Sequence, residues 1–165
     1  MKSTISRWTI GVALIIAIGT VAPVSADYAA GIAAFKAKDY AKAGQEFEAV
    51  IESQPNEPAT HYMLGLSRRA QGNISAALGS FRKAVELDSA NETPNPMYPI
   101  TLGQTLNQAK QYNDAYLTLK ALNFSRLPAN YRSNYALLFA KAATETNRRG
   151  AISAPLDACE YPDTP

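Results

Sequence analysis

The chain has one cysteine, one histidine and one tryptophan in 165 residues. With Cys159 alone, no disulfide can close within the molecule, so stability has to come from packing, and the thiol is left for at most an intermolecular bond. With His61 alone, neither a histidine metal site nor a histidine-dependent nucleophile finds its usual supporting ligands. The glycines are spread along the chain instead of gathered in one loop, which removes the phosphate cradle from consideration. Glu46, Glu48 and Glu52 stand beside Lys42 at helical spacing, and ion pairs on a solvated face explain them without catalysis. No acid, base and nucleophile converge, so the expectation is a protein that is not an enzyme and carries no cofactor or metal.

Apolar runs are scarce too. The one present, Trp8 to Ala22, follows Lys2 and Arg7 and is closed by Pro23-Val24-Ser25-Ala26, the small-residue pattern a signal peptidase accepts. At about fifteen residues it falls short of the roughly twenty that span a bilayer. Residues 1–26 are therefore expected to be a secretory signal cleaved after Ala26, giving a periplasmic or secreted product with no stable membrane insertion. This segment holds two of the sixteen basic residues and none of the fourteen acidic ones, so the remainder is balanced at fourteen of each sign. Nucleic acid is accordingly not an expected partner. The balance is uneven along the chain: residues 27–58 are mainly acidic, residues 97–150 mainly basic, and residues 151–165 carry Asp157, Glu160 and Asp163 with no base. The prolines of 149–165 make that stretch an irregular acidic tail.

What the sequence does have is a period. Gly31, Gly65 and Gly103 each precede an alanine by twelve residues (Ala43, Ala77, Ala115), and four residues further on stand Phe47, Phe81 and Leu119. Apolar residues between these markers recur at spacings of three and four, so each unit reads as two helices joined by a short turn. The spans are 27–38 and 40–53, 58–71 and 74–87, 98–109 and 112–123, with turns at Lys38-Asp39, Gly72-Asn73 and Lys110-Gln111. The cluster from Ser89 to Pro96 absorbs about four inserted residues. Pro128 opens a seventh helix, 129–147, whose polar outer side suits a cap.

These residues resemble the tetratricopeptide repeat family, in which Trp-x2-Leu-Gly-x2-Tyr is followed by Ala-x3-Phe and a proline. The second unit has His61-x2-Leu64-Gly65 and Ala77-x3-Phe81, the first has Gly31, Ala43-x3-Phe47 and Pro55, and the third has Leu102-Gly103 and Ala115 with Leu119 for the aromatic. The leading tryptophan is replaced by Asp27, His61 and Pro99. The resemblance implies an all-α helical-hairpin solenoid: repeats at about 27–58, 59–93 and 97–128, and a capping helix at 129–147. It places glycine and alanine where the two helices of a unit touch, and the large residues in the gap between units.

The resemblance also implies that the first helix of each unit lines a concave groove. The lining would be Tyr28, Ile32, Phe35 and Lys36, then Tyr62, Leu66 and Arg69, then Gln104, Asn107 and Gln108, with Ala70 and Ile100 alongside. Tyr28, Ile32, Tyr62 and Leu66 stand where chaperone-binding members keep a lysine-asparagine clamp, so no carboxylate clamp is expected. Tyrosines, Phe35 and Arg69 are interface anchors by type. The expected role is an exported adaptor that holds a protein or peptide in this groove, with substitutions at Tyr62 and Arg69 abolishing capture while leaving the melting temperature nearly unchanged. The alternative is a self-assembling or membrane-tethered envelope component. Oligomeric state is open.

Overall fold

A computed structural model describes residues 27–148, and all of its regular structure is helical. Seven α-helices occur among the described residues: α1 (Tyr28–Lys36), α2 (Tyr40–Ser53), α3 (Pro58–Ala70), α4 (Ile74–Asp88), α5 (Met97–Gln108), α6 (Tyr112–Lys120) and α7 (Ala129–Glu145), with a 3-10 turn at Phe124–Arg126. The expected leader with its cleavage point at 1–26, the tail at 149–165 and Cys159 lie outside the described residues.

Each odd helix stops in the same way. Lys38, Gly72, Lys110 and Asn147 take φ of 63°, 81°, 60° and 58°. The next amide then turns back to a carbonyl five residues earlier, Asp39 to Ala34 at 3.0 Å, Asn73 to Arg68 at 2.9 Å, Gln111 to Leu106 at 2.9 Å and Arg148 to Ala143 at 2.7 Å. This left-handed closure satisfies carbonyls that the helix end would leave bare. Gly72 takes it with no side-chain clash and Asn147 tolerates it, whereas at Lys38 and Lys110 it costs about 1–2 kcal/mol. Helices α2 and α4 then start on polar caps: Asp39 accepts from the Lys42 amide at 3.1 Å and Asn73 from the Ala76 amide at 3.2 Å.

Inside each hairpin the glycine makes room for the large residue of the second helix. A β-carbon on Gly31 would lie 2.6 Å from the Phe47 ring, on Gly65 2.5 Å from Phe81, and on Gly103 2.7 Å from Leu119. The sequence reading paired those glycines with Ala43, Ala77 and Ala115. The closest approach instead comes from the ring or isobutyl group four residues later, because the missing β-carbon opens a volume that a large side chain fills better than a methyl group. The same residues also reach outward, Phe47 sharing a core with Leu64 of the next hairpin and Phe81 with Ile100 and Leu102.

The junction at 89–96 is organised by Asp88, which is 6% exposed. Its carboxylate accepts from the Asn91 side-chain amide at 2.7 Å and from the Asn95 backbone amide at 2.5 Å. The second unit has no closing proline, and this carboxylate holds the longer loop in its place. Helix α6 ends earlier than its apolar pattern suggests, at Lys120. Asn123 accepts from the Ser125 amide at 3.1 Å, and that local bond competes with further helix and sets the 3-10 turn.

Candidate peptide-binding face

The odd helices carry all ten residues expected to line a groove, but they are used in three different ways. On α1, the Tyr28 ring lies 5.5 Å from Phe47, and Phe35 meets Tyr40 edge-on at 5.3 Å. Ile32 and Phe35 are half-buried against the first core, while Lys36 is exposed. Burial, helped by the Glu57 carboxylate, raises the Tyr28 phenol above its ordinary 10.0. Tyr28, Gln54, Glu57 and Thr60 border a cavity of about 290 Å³.

On α3 the three residues act as braces to α5. Tyr62 packs 5.7 Å from Phe81 and 5.0 Å from Tyr98, and its hydroxyl shares a 3.3 Å hydrogen bond with Thr101. Arg69 donates to the Thr105 hydroxyl at 3.2 Å and lies 5.6 Å over the Phe81 ring. Leu66 is half-buried against the larger core. Tyr62 and Arg69 therefore join two hairpins, and the expectation that their loss leaves the melting temperature unchanged is replaced: both contribute to stacking.

On α5, Gln104 and Gln108 are exposed, whereas Asn107 is 3% exposed and donates its Nδ2 to the Leu138 carbonyl of α7 at 2.9 Å. These three share a cavity of about 470 Å³ with Leu137, Leu138 and Lys141. Leu137 is 71% exposed. The α7 residues were missed because that helix reads as a cap. A signal for them was present: Ala140 stands seven residues before left-handed Asn147, as Gly31, Gly65 and Gly103 stand seven before Lys38, Gly72 and Lys110, so α7 occupies the place of another first helix.

Elsewhere, polar groups are spent on structure. His61 is buried and donates to the Pro55 carbonyl at 2.8 Å. Glu48 pairs with Arg68 of α3 at 2.7 Å, not with its own helix neighbour Lys42. At the basic end Arg148 covers the Tyr116 ring at 4.7 Å, and Arg132 donates to the Leu127 and Ser125 carbonyls. Among the described residues no group of three His, Cys, Asp or Glu side chains could hold a metal, and no helix is long and apolar enough to cross a membrane.

The tetratricopeptide repeat model matches residues 58–91, which is the second hairpin and the start of its junction. No curated protein matches the chain. Among solved structures, the type III secretion chaperone SycD of Yersinia enterocolitica, in complex with a peptide of the translocator YopD, is similar with a TM-score of 0.52 and 18% identity, covering 81% of this chain and 88% of that one. A second structure of that translocator chaperone gives 0.52 and 17% identity, over 81% and 83%. The fold is thus an all-α helical-hairpin solenoid of the tetratricopeptide type, with three hairpins and a closing helix.

Proposed function

We propose that this chain is an exported adaptor that holds a partner peptide or protein segment against the face of its odd helices, the chemistry being the partner's. The observation that carries the reading is the cavity between α5 and α7, about 470 Å³ and bordered by exposed Gln104, Gln108, Leu137 and Lys141. Exposed apolar and polar groups around an unfilled concavity are what a short ligand segment needs. On this reading the exposed Lys36 and the half-buried Tyr62 and Arg69 belong to the same binding surface. Likeness to a chaperone whose structure contains a bound peptide agrees with this use of the fold.

Export rests on the leader at 1–26, and a mature protein beginning at Asp27 by mass spectrometry from a periplasmic or secreted fraction is the expected result. The binding role is tested by a photocrosslinking side chain at Gln108, compared with one at Leu117 on α6. The reading expects a discrete covalent adduct with one partner from Gln108 and none from Leu117. Equal labelling from both positions, or adducts only with a second copy of this chain, would favour the self-assembling alternative.

A further inference from the structure

Four residues after the repeat glycine, the first helices carry Phe35, Arg69 and Asn107. Phe35 and Arg69 are long: Phe35 packs against the first core and Tyr40, and Arg69 spans to Thr105. Asn107 is short. Its carboxamide is anchored through Nδ2 to the Leu138 carbonyl, which fixes the amide orientation and turns Oδ1 away from that bond. Oδ1 is buried and, among the described residues, without a hydrogen-bond partner. Asn107 lines the cavity of about 470 Å³ between α5 and α7.

Buried acceptors without partners are rare in folded proteins and lower the stability of the state that contains them. This one lies at a cavity whose other lining side chains, Leu138 excepted, are all exposed: Gln104, Gln108, Leu137 and Lys141. Reaching Oδ1 requires the side chains over it to turn aside, and four of the five other lining residues are exposed. The site holds a buried acceptor beneath its floor and an ammonium at its rim, with no carboxylate in its lining. A carboxylate would suit Lys141 and be repelled by Oδ1, and a cation would suit Oδ1 and be repelled by Lys141. A primary carboxamide carries both a donor and an acceptor on one planar group, and so suits both.

Resting on the peptide-binding reading, we propose that the α5–α7 cavity is a subsite for a glutamine or asparagine side chain of the bound segment. Its amide N–H is donated to Asn107 Oδ1 and its carbonyl oxygen accepts from Lys141, with Leu137 covering the methylenes. The test uses three nine-residue peptides of glycine and serine with a central glutamine, glutamate or leucine, titrated into the isotope-labelled chain. The glutamine peptide is expected to shift the Asn107 side-chain amide and the Lys141 signals and to bind about fivefold or more tightly than either analogue, as one satisfied neutral hydrogen bond allows. Lys141→Met is expected to reduce that preference, and since Lys141 is exposed this variant leaves the fold intact. Equal shifts with all three peptides, or no shift at Asn107, overturn the subsite. Shifts confined to Tyr62 and Arg69 overturn it while sparing the peptide-binding reading, which the crosslinking experiment tests separately.

Discussion

The Phe81 ring occupies the space that a β-carbon on Gly65 would need, with ring atoms at 2.5, 2.6 and 3.0 Å from that position. Phe81 is fully buried, so the ring has nowhere to withdraw. Gly65→Ala is therefore expected to cost about 1–3 kcal/mol through overpacking. Gly79 on α4 provides the opposite case, because nothing lies within 4 Å of its β-carbon position. Gly79→Ala is expected to stabilise by about 0.5–1 kcal/mol through helix propensity alone. Denaturant melts of the two variants check both signs, and Phe81→Ala should cost about 3–5 kcal/mol in the same assay.

The buried Asp88 carboxylate ties the loop at 89–96 to the end of α4 through Asn91 and the Asn95 amide. Replacing it with alanine leaves the Asn95 amide without that acceptor and releases the loop that sets α5 on α4. The expected loss is about 1–3 kcal/mol. Hydrogen exchange should show faster exchange at Asn95 and at the first turn of α5 before any change in α1 or α2.

Burial raises the phenols of Tyr28, Tyr98 and Tyr135 above the ordinary 10.0, with the Glu57, Asp88 and Tyr116 side chains respectively adding to the effect. A phenol that is a weaker acid in the fold than in the unfolded chain favours the fold fully below about pH 10, and this contribution is lost as pH rises through the raised value. Stability is thus expected to fall above pH 10. Tyr135→Phe, which keeps the stacking on Phe139, should flatten that fall in melts taken between pH 9 and 11.5 while changing little at pH 7.

The sequence made the hairpins legible because their markers are local. Gly65, Ala77 and Phe81 declare one crossing, Asn73 a helix start, and the 40–53 helix emerges with the bounds its apolar spacing gives. Contacts between hairpins were harder to read. Tyr62 and Arg69 look like ligand anchors by type, and only the placement of α5, set by the Asp88-bound loop, shows that they brace Tyr98 and Thr105. Asn107 looks exposed by period, yet its partner is a backbone carbonyl on α7, a group every residue has and no side chain announces. Leu137 and Lys141 were overlooked because the expectation of a polar cap hid the fact that α7 repeats the geometry of α1, α3 and α5.

The claim that the odd-helix face binds through its exposed rim is tested most directly by calorimetric titration of the crosslinked partner, once identified, into wild type and the Gln108→Arg, Lys141→Glu double variant. Both residues are exposed and make no structural bond among the described residues, so the melting temperature should stay within about 3 °C, the scale of ordinary surface substitutions. The account predicts at least a tenfold weaker affinity at that unchanged melting temperature. An affinity equal to wild type would contradict it.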